Sequence, residues 1–130
     1  NISLDLQTDT DVFRVKGDYG RLRQMFIIIL DNAIKFSPPK CSVNVTLSEG
    51  VVTICDTGFG IPEADLPYIF DRFYRAKSPE NTKGSGLGLA IAKQIADRHG
   101  IALSVESKTN QGTCFGFNFN LLNNAGVNLV

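Results

Sequence analysis

The feature that most constrains the fold is an apolar stripe at helical spacing between Tyr19 and the proline pair Pro38-Pro39. Residues three and four positions apart share one face of an α-helix, so this spacing predicts a helix with one broad apolar face. The apolar positions are Leu22, Met25, Phe26, Ile29, Leu30 and Ala33. Pro38-Pro39 predicts the end of the helix, because proline cannot continue it. Such a helix must bury its apolar face against another layer.

The rest of the chain predicts short strands and two further helices. The expected strands cover residues 2–6, 13–16, 43–47, 51–55, 102–107 and 113–120, and the expected helices cover residues 62–70 and 87–99. This order of elements predicts an α/β (α+β) two-layer sandwich. We expect a mixed, largely antiparallel sheet of about five strands, covered on one face by about three helices.

Length and composition set the limits of this interpretation. The chain has 130 residues, which suits one domain, and we assign it to residues 1–121 with a flexible tail at 122–130. Lysine and arginine number 13, aspartate and glutamate also 13, and this balance disfavours nucleic acid as the main partner. No apolar run approaches the ~20 residues that span a bilayer. A membrane anchor elsewhere in a parent protein stays open.

The three cysteines are far apart in sequence and form no CxxC pair. An odd, scattered set argues against a disulfide framework or a zinc site. Cys41, Cys55 and Cys114 all lie in strand-like segments, where cysteine usually serves as a small core residue. We therefore expect three free thiols and a reducing, cytoplasmic setting.

Four segments carry side chains that a purely structural domain would not need. The first lies on the long helix, where Asn32 borders the apolar face and Lys35 follows on the same stripe. An amide oxygen can ligate Mg²⁺ and an ammonium group can meet a phosphate. The alternative is that Asn32 bonds to nearby backbone and that Lys35 is only solvated.

The second segment follows a predicted strand and runs from Asp56 through Gly58 and Gly60 to Ile61. An aspartate at the end of a strand can accept a hydrogen bond from an exocyclic amine. Glycines let the backbone pass close to a flat ring, since they have no Cβ. An ordinary turn remains the alternative.

The third segment, residues 84–89, opens the helix predicted at 87–99 with three alternating glycines. Exposed backbone N–H groups at a helix N-terminus favour an anion. The fourth segment, residues 70–75, joins two phenylalanines to Arg75 just before a polar loop. The aromatic pair could anchor a lid while Arg75 meets phosphate; alternatively, it belongs to the core.

In this order and at these separations, the four segments closely resemble the N, G1, F and G2 boxes of sensor histidine kinases. The boxes are residues 30–36, 56–61, 70–75 and 84–89, and the resemblance runs from about residue 3 to residue 121. It implies the ATP-binding fold shared by gyrase, heat-shock chaperone, mismatch-repair and histidine kinase ATPase domains. It also implies a mobile ATP lid over residues 75–83.

The resemblance further implies a role for each matching residue. Asp56 would receive the adenine amino group, with Thr113 nearby through water, and Gly58, Gly60 and Ile61 would shape the adenine pocket. Asn32 would hold Mg²⁺ and Lys35 and Arg75 would reach phosphates, so these three form the expected catalytic set. Gly84, Gly86, Leu87 and Gly88 would wrap the triphosphate. The expected nucleotide-binding set also includes Phe36, Phe73, Ser85 and Leu89.

Two departures from the family pattern matter. Ile28 stands where many histidine kinases have a second metal-binding asparagine or a histidine, so Mg²⁺ affinity could be weaker here. Gyrase-type hydrolases have a glutamate at this position, and isoleucine cannot act as a general base, which favours transfer over hydrolysis. The only histidine, His99, lies at a helix end and has no phosphoacceptor context.

The resemblance therefore implies a catalytic domain that binds Mg²⁺-ATP and donates the γ-phosphate to a histidine on a separate dimerisation segment of its parent. A response regulator would be the downstream partner, and the parent could be anchored in a membrane. Two rival functions remain open. They are a nucleotide-sensing module that has lost transfer, which Ile28 favours, and a relative that phosphorylates serine, which the box at 70–75 disfavours.

Overall fold

A five-stranded sheet forms one layer of the domain. The computed structural model describes residues 17–35, 40–72 and 87–120, and the backbone alone of residues 3–8. Neighbouring strands follow the order β1-β2-β3-β5-β4, and all pairs are antiparallel except β1 with β2. The strands are β1 (Ser3–Thr8), β2 (Ser42–Ser48), β3 (Val51–Asp56), β4 (Ala102–Lys108) and β5 (Gly112–Asn118).

The second layer consists of helices α1 (Tyr19–Lys35) and α2 (Gly88–Arg98), together with a 3₁₀ helix at Glu63–Tyr68. Asp18 caps α1, because its carboxylate Oδ1 accepts a hydrogen bond from the Arg21 backbone N–H at 3.0 Å. The helix predicted at 62–70 is a 3₁₀ turn instead. Pro67 lies inside it and has no N–H to donate to an α-helical ladder.

The core lies between the two layers. Ile54 of β3 and Phe115 and Phe117 of β5 face the helices and are almost completely buried. Met25 and Ile29, one turn apart on α1, are fully buried against this face. The Phe26 and Phe117 rings meet edge to face with their centroids 5.0 Å apart. The apolar stripe that predicted α1 is therefore confirmed as the face packed on the sheet.

His99 ties the end of α2 to the turn that precedes α1. The Asp18 backbone N–H donates to His99 Nε2 at 3.1 Å, so Nδ1 carries the proton and donates to the Ile95 carbonyl oxygen at 2.9 Å. His99 therefore caps the C-terminus of α2 and adds a long-range contact to the residue before α1.

The two-layer fold class is confirmed, with five strands as predicted. The strand predicted at 13–16, the lid segment at 75–83 and the tail at 122–130 lie outside the described residues. Within the described ranges, no helix is both long and apolar enough to cross a bilayer. The same residues contain no cluster of three or more histidine, cysteine, aspartate or glutamate side chains suited to a metal ion.

The expectation of three free thiols is wrong. The register of β3 and β5 sets Cys55 directly opposite Cys114, and the two form a disulfide with Cα atoms 4.0 Å apart. Their separation of 59 residues in sequence hid this pairing, because cross-strand register is set by tertiary packing. Their strand neighbours Ile54 and Phe115 face the core, so the disulfide lies on the opposite face of the sheet. Cys41 is free, as expected.

Breaking this cross-link should destabilise the domain, since the disulfide restricts a long loop in the unfolded chain. We expect Cys114→Ser to lower the free energy of unfolding of the oxidised protein by about 2–4 kcal/mol. Urea unfolding with and without a dithiol reductant measures this difference. Cys41→Ser is the matched control and should leave the loss on reduction intact. Equal stability of oxidised and reduced protein would contradict the prediction.

Candidate functional site

Three neighbouring strands bring polar side chains together at one end of the sheet. Asp56 is the last residue of β3, and the strand register places it opposite Thr113 near the start of β5. Ser107, near the end of β4, is opposite Thr113 on the other side. Side chains of directly paired residues lie on the same face of a sheet. The three side chains therefore form a polar row that continues the inner, helix-covered face.

The Asp56 carboxylate is anchored by one of its oxygens. Oδ1 accepts hydrogen bonds from the backbone N–H of Gly58 at 2.9 Å and of Thr113 at 3.3 Å. Within the described part of the chain, Oδ2 has no hydrogen-bond partner. Burial raises the pKa of Asp56 above its ordinary value, and the two backbone hydrogen bonds partly offset that effect. The site thus holds a half-buried carboxylate with a free acceptor.

The turn after β3 is fastened to the β4–β5 hairpin. The Asn110 backbone N–H donates to the Phe59 carbonyl oxygen at 2.6 Å, and the Ile61 N–H donates to Ser107 Oγ at 2.7 Å. Gly60 has a φ of +74°, and a Cβ there would lie 2.0 Å from the Lys108 carbonyl oxygen. Only glycine fits this position. The turn therefore holds a fixed position beside Asp56.

Ser107 is the functional candidate that sequence reasoning missed. Its Oγ donates to the Gly112 carbonyl oxygen at 2.9 Å and lies 2.8 Å from Thr113 Oγ1. Thr113 is only 6% exposed. A usable signal existed in the alternation of β4, since Leu103 and Val105 occupy the inner face and Ser107 follows in the same phase. A hydroxyl at the next inward position marks the point where the core ends and the site begins.

The N-box residues lie on the C-terminal half of α1. Asn32 is half-buried, and no hydrogen bond joins its side chain to another described residue. Lys35 is exposed, and its Nζ lies 3.4 Å from Asp31 Oδ2, one turn back on the same helix. The expected phosphate contact of Lys35 stays a prediction. An unpartnered amide oxygen at the edge of the core fits a hard cation such as Mg²⁺.

Ile28 joins α1 to the glycine-rich start of α2. Its Cγ2 atom lies 3.4 Å from the place where a Cβ on Gly88 would be. The side chain that replaces the family's second metal ligand therefore faces the segment expected to wrap the triphosphate. Leu87 precedes α2 and has no polar group to cap the first amides. Backbone N–H groups at such a helix start favour an anion.

The predicted site residues that the structure describes fall into two groups, one at the end of the sheet and one on the two helices. Asp56, Gly58, Gly60, Ile61 and Thr113 come together at the sheet end. Asn32 and Lys35 lie on the C-terminal half of α1, and Leu87, Gly88 and Leu89 lie at the start of α2, where Gly88 approaches Ile28. Ile28, Ile61 and Leu89 all pack against the same buried core. Phe36, Phe73, Arg75, Gly84, Ser85 and Gly86 lie outside the described residues.

Residues 17–123 match the family model described as histidine kinase-, DNA gyrase B- and HSP90-like ATPase. The chain therefore belongs to this ATPase family, as an ATP-binding catalytic domain of the sensor histidine kinase type, and the resemblance predicted from the four boxes is confirmed.

The curated relatives of this chain are named as histidine kinases. The sensor histidine kinase YkoH of Bacillus subtilis is 47% identical over 125 residues, which cover 93% of this chain and 28% of YkoH. The signal transduction histidine-protein kinase/phosphatase MprB of a Mycobacterium species is 40% identical over 122 residues, 88% of this chain and 24% of MprB. The chain thus spans about a quarter of these relatives.

Solved structures agree with the sequence relatives. Mycobacterial MprB superposes with a TM-score of 0.80 at 35% identity, covering 89% of this chain and 81% of that one. Full-length ShkA in complex with AMPPNP superposes with a TM-score of 0.72 at 30% identity, covering 89% of this chain and 25% of ShkA. That neighbour holds an ATP analogue.

The raised pKa of Asp56 gives the site a pH signature. Ionising a buried carboxylate whose folded pKa is raised costs stability, so the stability it contributes at low pH is lost as the pH rises through that pKa. Asp56→Asn keeps an acceptor for the Gly58 and Thr113 amides and removes the charge. We expect the stability of this variant, relative to the unmodified protein, to increase between pH 4 and pH 7.

Urea unfolding at several pH values measures this difference. Asp97→Asn is the matched control, because Asp97 is an exposed residue of α2 that pairs with Lys93. A free energy of unfolding of Asp56→Asn that falls relative to that of the unmodified protein as the pH rises would contradict the assigned direction.

Proposed function

We propose that this domain binds Mg²⁺-ATP and donates the γ-phosphate to a histidine on a separate dimerisation segment of its parent protein. The observation that carries the proposal is Asp56 Oδ2, which has no partner among the described residues while two backbone hydrogen bonds hold Oδ1 in place. A half-buried acceptor of this kind suits the 6-amino group of adenine, which can only donate. The ATP analogue bound by ShkA, a neighbour with this fold, supports the same ligand.

Phosphate binding is assigned to the opening of α2. The backbone N–H groups of the first turn of α2 provide donors, and the positive end of the helix dipole favours negative charge. Lys35 is exposed enough to leave Asp31, since an exposed i,i+4 ion pair contributes only about 0.3–0.5 kcal/mol. We infer that Lys35 exchanges this partner for a phosphate, with Arg75 as a second cation.

Asn32 is the proposed metal ligand, since its amide has no partner among the described side chains and backbone groups. A bound Mg²⁺ would neutralise phosphate charge during transfer. Ile28 provides no second ligand and no base to activate water. The chain's own contribution is therefore to orient ATP and neutralise its charge, and the nucleophile comes from outside the domain. We expect very slow hydrolysis by the domain alone.

The remaining partners follow from this assignment. We infer that the phosphoacceptor helix belongs to the part of the parent that the chain does not span, and that a response regulator receives the phosphoryl group next. ATP is supplied in the cytoplasm, so we place the domain there. The Cys55–Cys114 disulfide would be reduced in a reducing cytoplasm.

Calorimetric titration of ATP into the 130-residue chain tests nucleotide binding directly. We expect binding by the unmodified protein and by Asp97→Asn. In Asp56→Asn an amide N–H₂ group faces the adenine amine, and we expect at least about a hundredfold weaker binding, because two donors then face each other without an acceptor. Equal ATP affinity in Asp56→Asn and the unmodified protein would overturn the adenine assignment.

The metal assignment predicts a gain of affinity in a single variant. Ile28→Asn restores an amide oxygen four residues before Asn32, so we expect ATP affinity at low Mg²⁺ to rise several-fold. Titrating Mg²⁺ at fixed ATP measures the effect. Ile27→Asn is the matched control, because Ile27 is the neighbouring residue on α1 and is 44% exposed. A gain in the control and none in Ile28→Asn would contradict the placement of the metal.

Ile28 also favours the second candidate function, a nucleotide-sensing module without phosphoryl transfer. Incubating the intact parent, with its acceptor histidine, with γ-labelled ATP separates the two candidates. Acid-labile label on the parent supports the kinase. ATP binding without label would support the sensing module.

A further inference from the structure

The hydrogen-bond pattern around Ser107 determines which way the Thr113 hydroxyl points. Ser107 Oγ has one hydrogen and two lone pairs, and it contacts three groups. The Ile61 N–H is only a donor, so it occupies one lone pair at 2.7 Å. The Gly112 carbonyl is only an acceptor, so it must receive the Ser107 hydrogen at 2.9 Å. The second lone pair remains for Thr113.

Only one direction is then possible for the hydrogen bond between Ser107 and Thr113. Thr113 Oγ1 lies 2.8 Å from Ser107 Oγ and must donate its hydrogen, because the Ser107 hydrogen is already used. The reverse assignment would turn a Ser107 lone pair toward the Gly112 carbonyl oxygen at 2.9 Å, where two acceptors repel. The hydrogen of Thr113 is therefore directed at Ser107, and both its oxygen lone pairs stay available.

Thr113 is the cross-strand neighbour of Asp56, and its backbone N–H donates to Asp56 Oδ1. The two residues face each other in the β3–β5 register, and Thr113 is 6% exposed. No described residue donates to either Thr113 Oγ1 or Asp56 Oδ2. Buried polar atoms normally have partners, so this pair of acceptors indicates a ligand that brings hydrogen-bond donors.

We propose that Ser107 is a specificity-determining positioning residue, which fixes Thr113 as an acceptor and so makes the site select 6-amino purines over 6-oxo purines. The inference rests on the proposed binding of ATP. A 6-oxo purine presents a carbonyl oxygen and an N1–H in place of the amine and the N1 acceptor of adenine. The 6-carbonyl oxygen of such a purine would face Asp56 Oδ2 and Thr113 Oγ1, which are also acceptors. Ser107 touches no nucleotide in this account and acts through Thr113.

The test compares ATP with ITP, which carries a 6-oxo group in place of the 6-amino group. In Ser107→Ala the Thr113 hydroxyl is free to rotate and can donate to the 6-oxo group. We expect the ratio of the ITP and ATP dissociation constants to fall about five- to tenfold, the value of one hydrogen bond. Calorimetry or fluorescence competition on the full chain measures both constants.

Two further variants separate orientation from folding. Ser107→Thr keeps the hydroxyl and should retain the ratio of the unmodified protein. Ser104→Ala removes a hydroxyl from the outer face of the same strand and should also retain it. In a double-mutant cycle with Thr113→Val, Ser107→Ala should cause no further change in the ratio, because its effect passes through Thr113. If Ser107→Ala does not fold, Ser107→Cys is measured in its place, with the same fall expected, since a thiol is a weak acceptor.

The outcomes are distinct. Equal losses of ATP and ITP affinity in Ser107→Ala, with an unchanged ratio, would show a merely structural role and overturn this inference while leaving the proposed function intact. A further fall of the ratio in the Thr113→Val background would also overturn it. Absence of ATP binding by the unmodified protein would overturn the proposed function itself, and this inference with it.

Discussion

The pairing of Asp56 with Thr113 across β3 and β5 is the contact on which the site depends. It aligns the end of one strand with the start of another, and the Thr113 N–H fixes one carboxylate oxygen at 3.3 Å. Gly112 has a φ of +107°, and a Cβ there would lie 2.0 Å from the Asp56 carbonyl oxygen. The close approach of the two strands therefore requires glycine beside Thr113. Desolvation of the carboxylate is the cost of this arrangement, visible in its raised pKa.

Packing on a common core keeps the two halves of the site in register. Ile61 at the sheet end, Ile28 on α1 and Leu89 on α2 all contact the buried cluster between helices and sheet. A close-packed core transmits position from one layer to the other, because it has little room to deform. The apolar core therefore positions the polar groups of the site, and few polar contacts are needed to hold them. Ile28 packs against the buried core and also faces Gly88 at the start of α2.

Local patterns predicted much of the fold, and the limits of that prediction have physical causes. The apolar stripe that begins at Tyr19 predicted α1, and the strands expected at 43–47 and 51–55 are β2 and β3. Periodicity carries no information on which strands become neighbours, so the central position of β5 and the Cys55–Cys114 pairing were not predictable. The register that pairs those cysteines forms only when both strands pack on the helices.

The candidate site shows the same difference between residues that a local sequence pattern indicates and residues whose role depends on tertiary contacts. Asp56, Gly58 and Gly60 carried a signal of their own, since an aspartate ending a strand can accept a hydrogen bond and glycines let the backbone approach a flat ring. Ser107 carried almost none, because a serine near a strand end is common, and its meaning comes from partners 46 and 6 residues away. Lys35 pairs with Asp31, and this pairing depends on side-chain rotamers that the sequence does not specify.

The most direct test of the central claim is a crystal structure of this chain with Mg²⁺ and AMPPNP. We expect the adenine N6 atom to lie within about 3.2 Å of Asp56 Oδ2, with Oδ1 still held by the Gly58 and Thr113 amides. Thr113 Oγ1 should lie beside the same edge of the base. A nucleotide whose base amine contacts a different group, with Asp56 Oδ2 left facing solvent, would contradict the account.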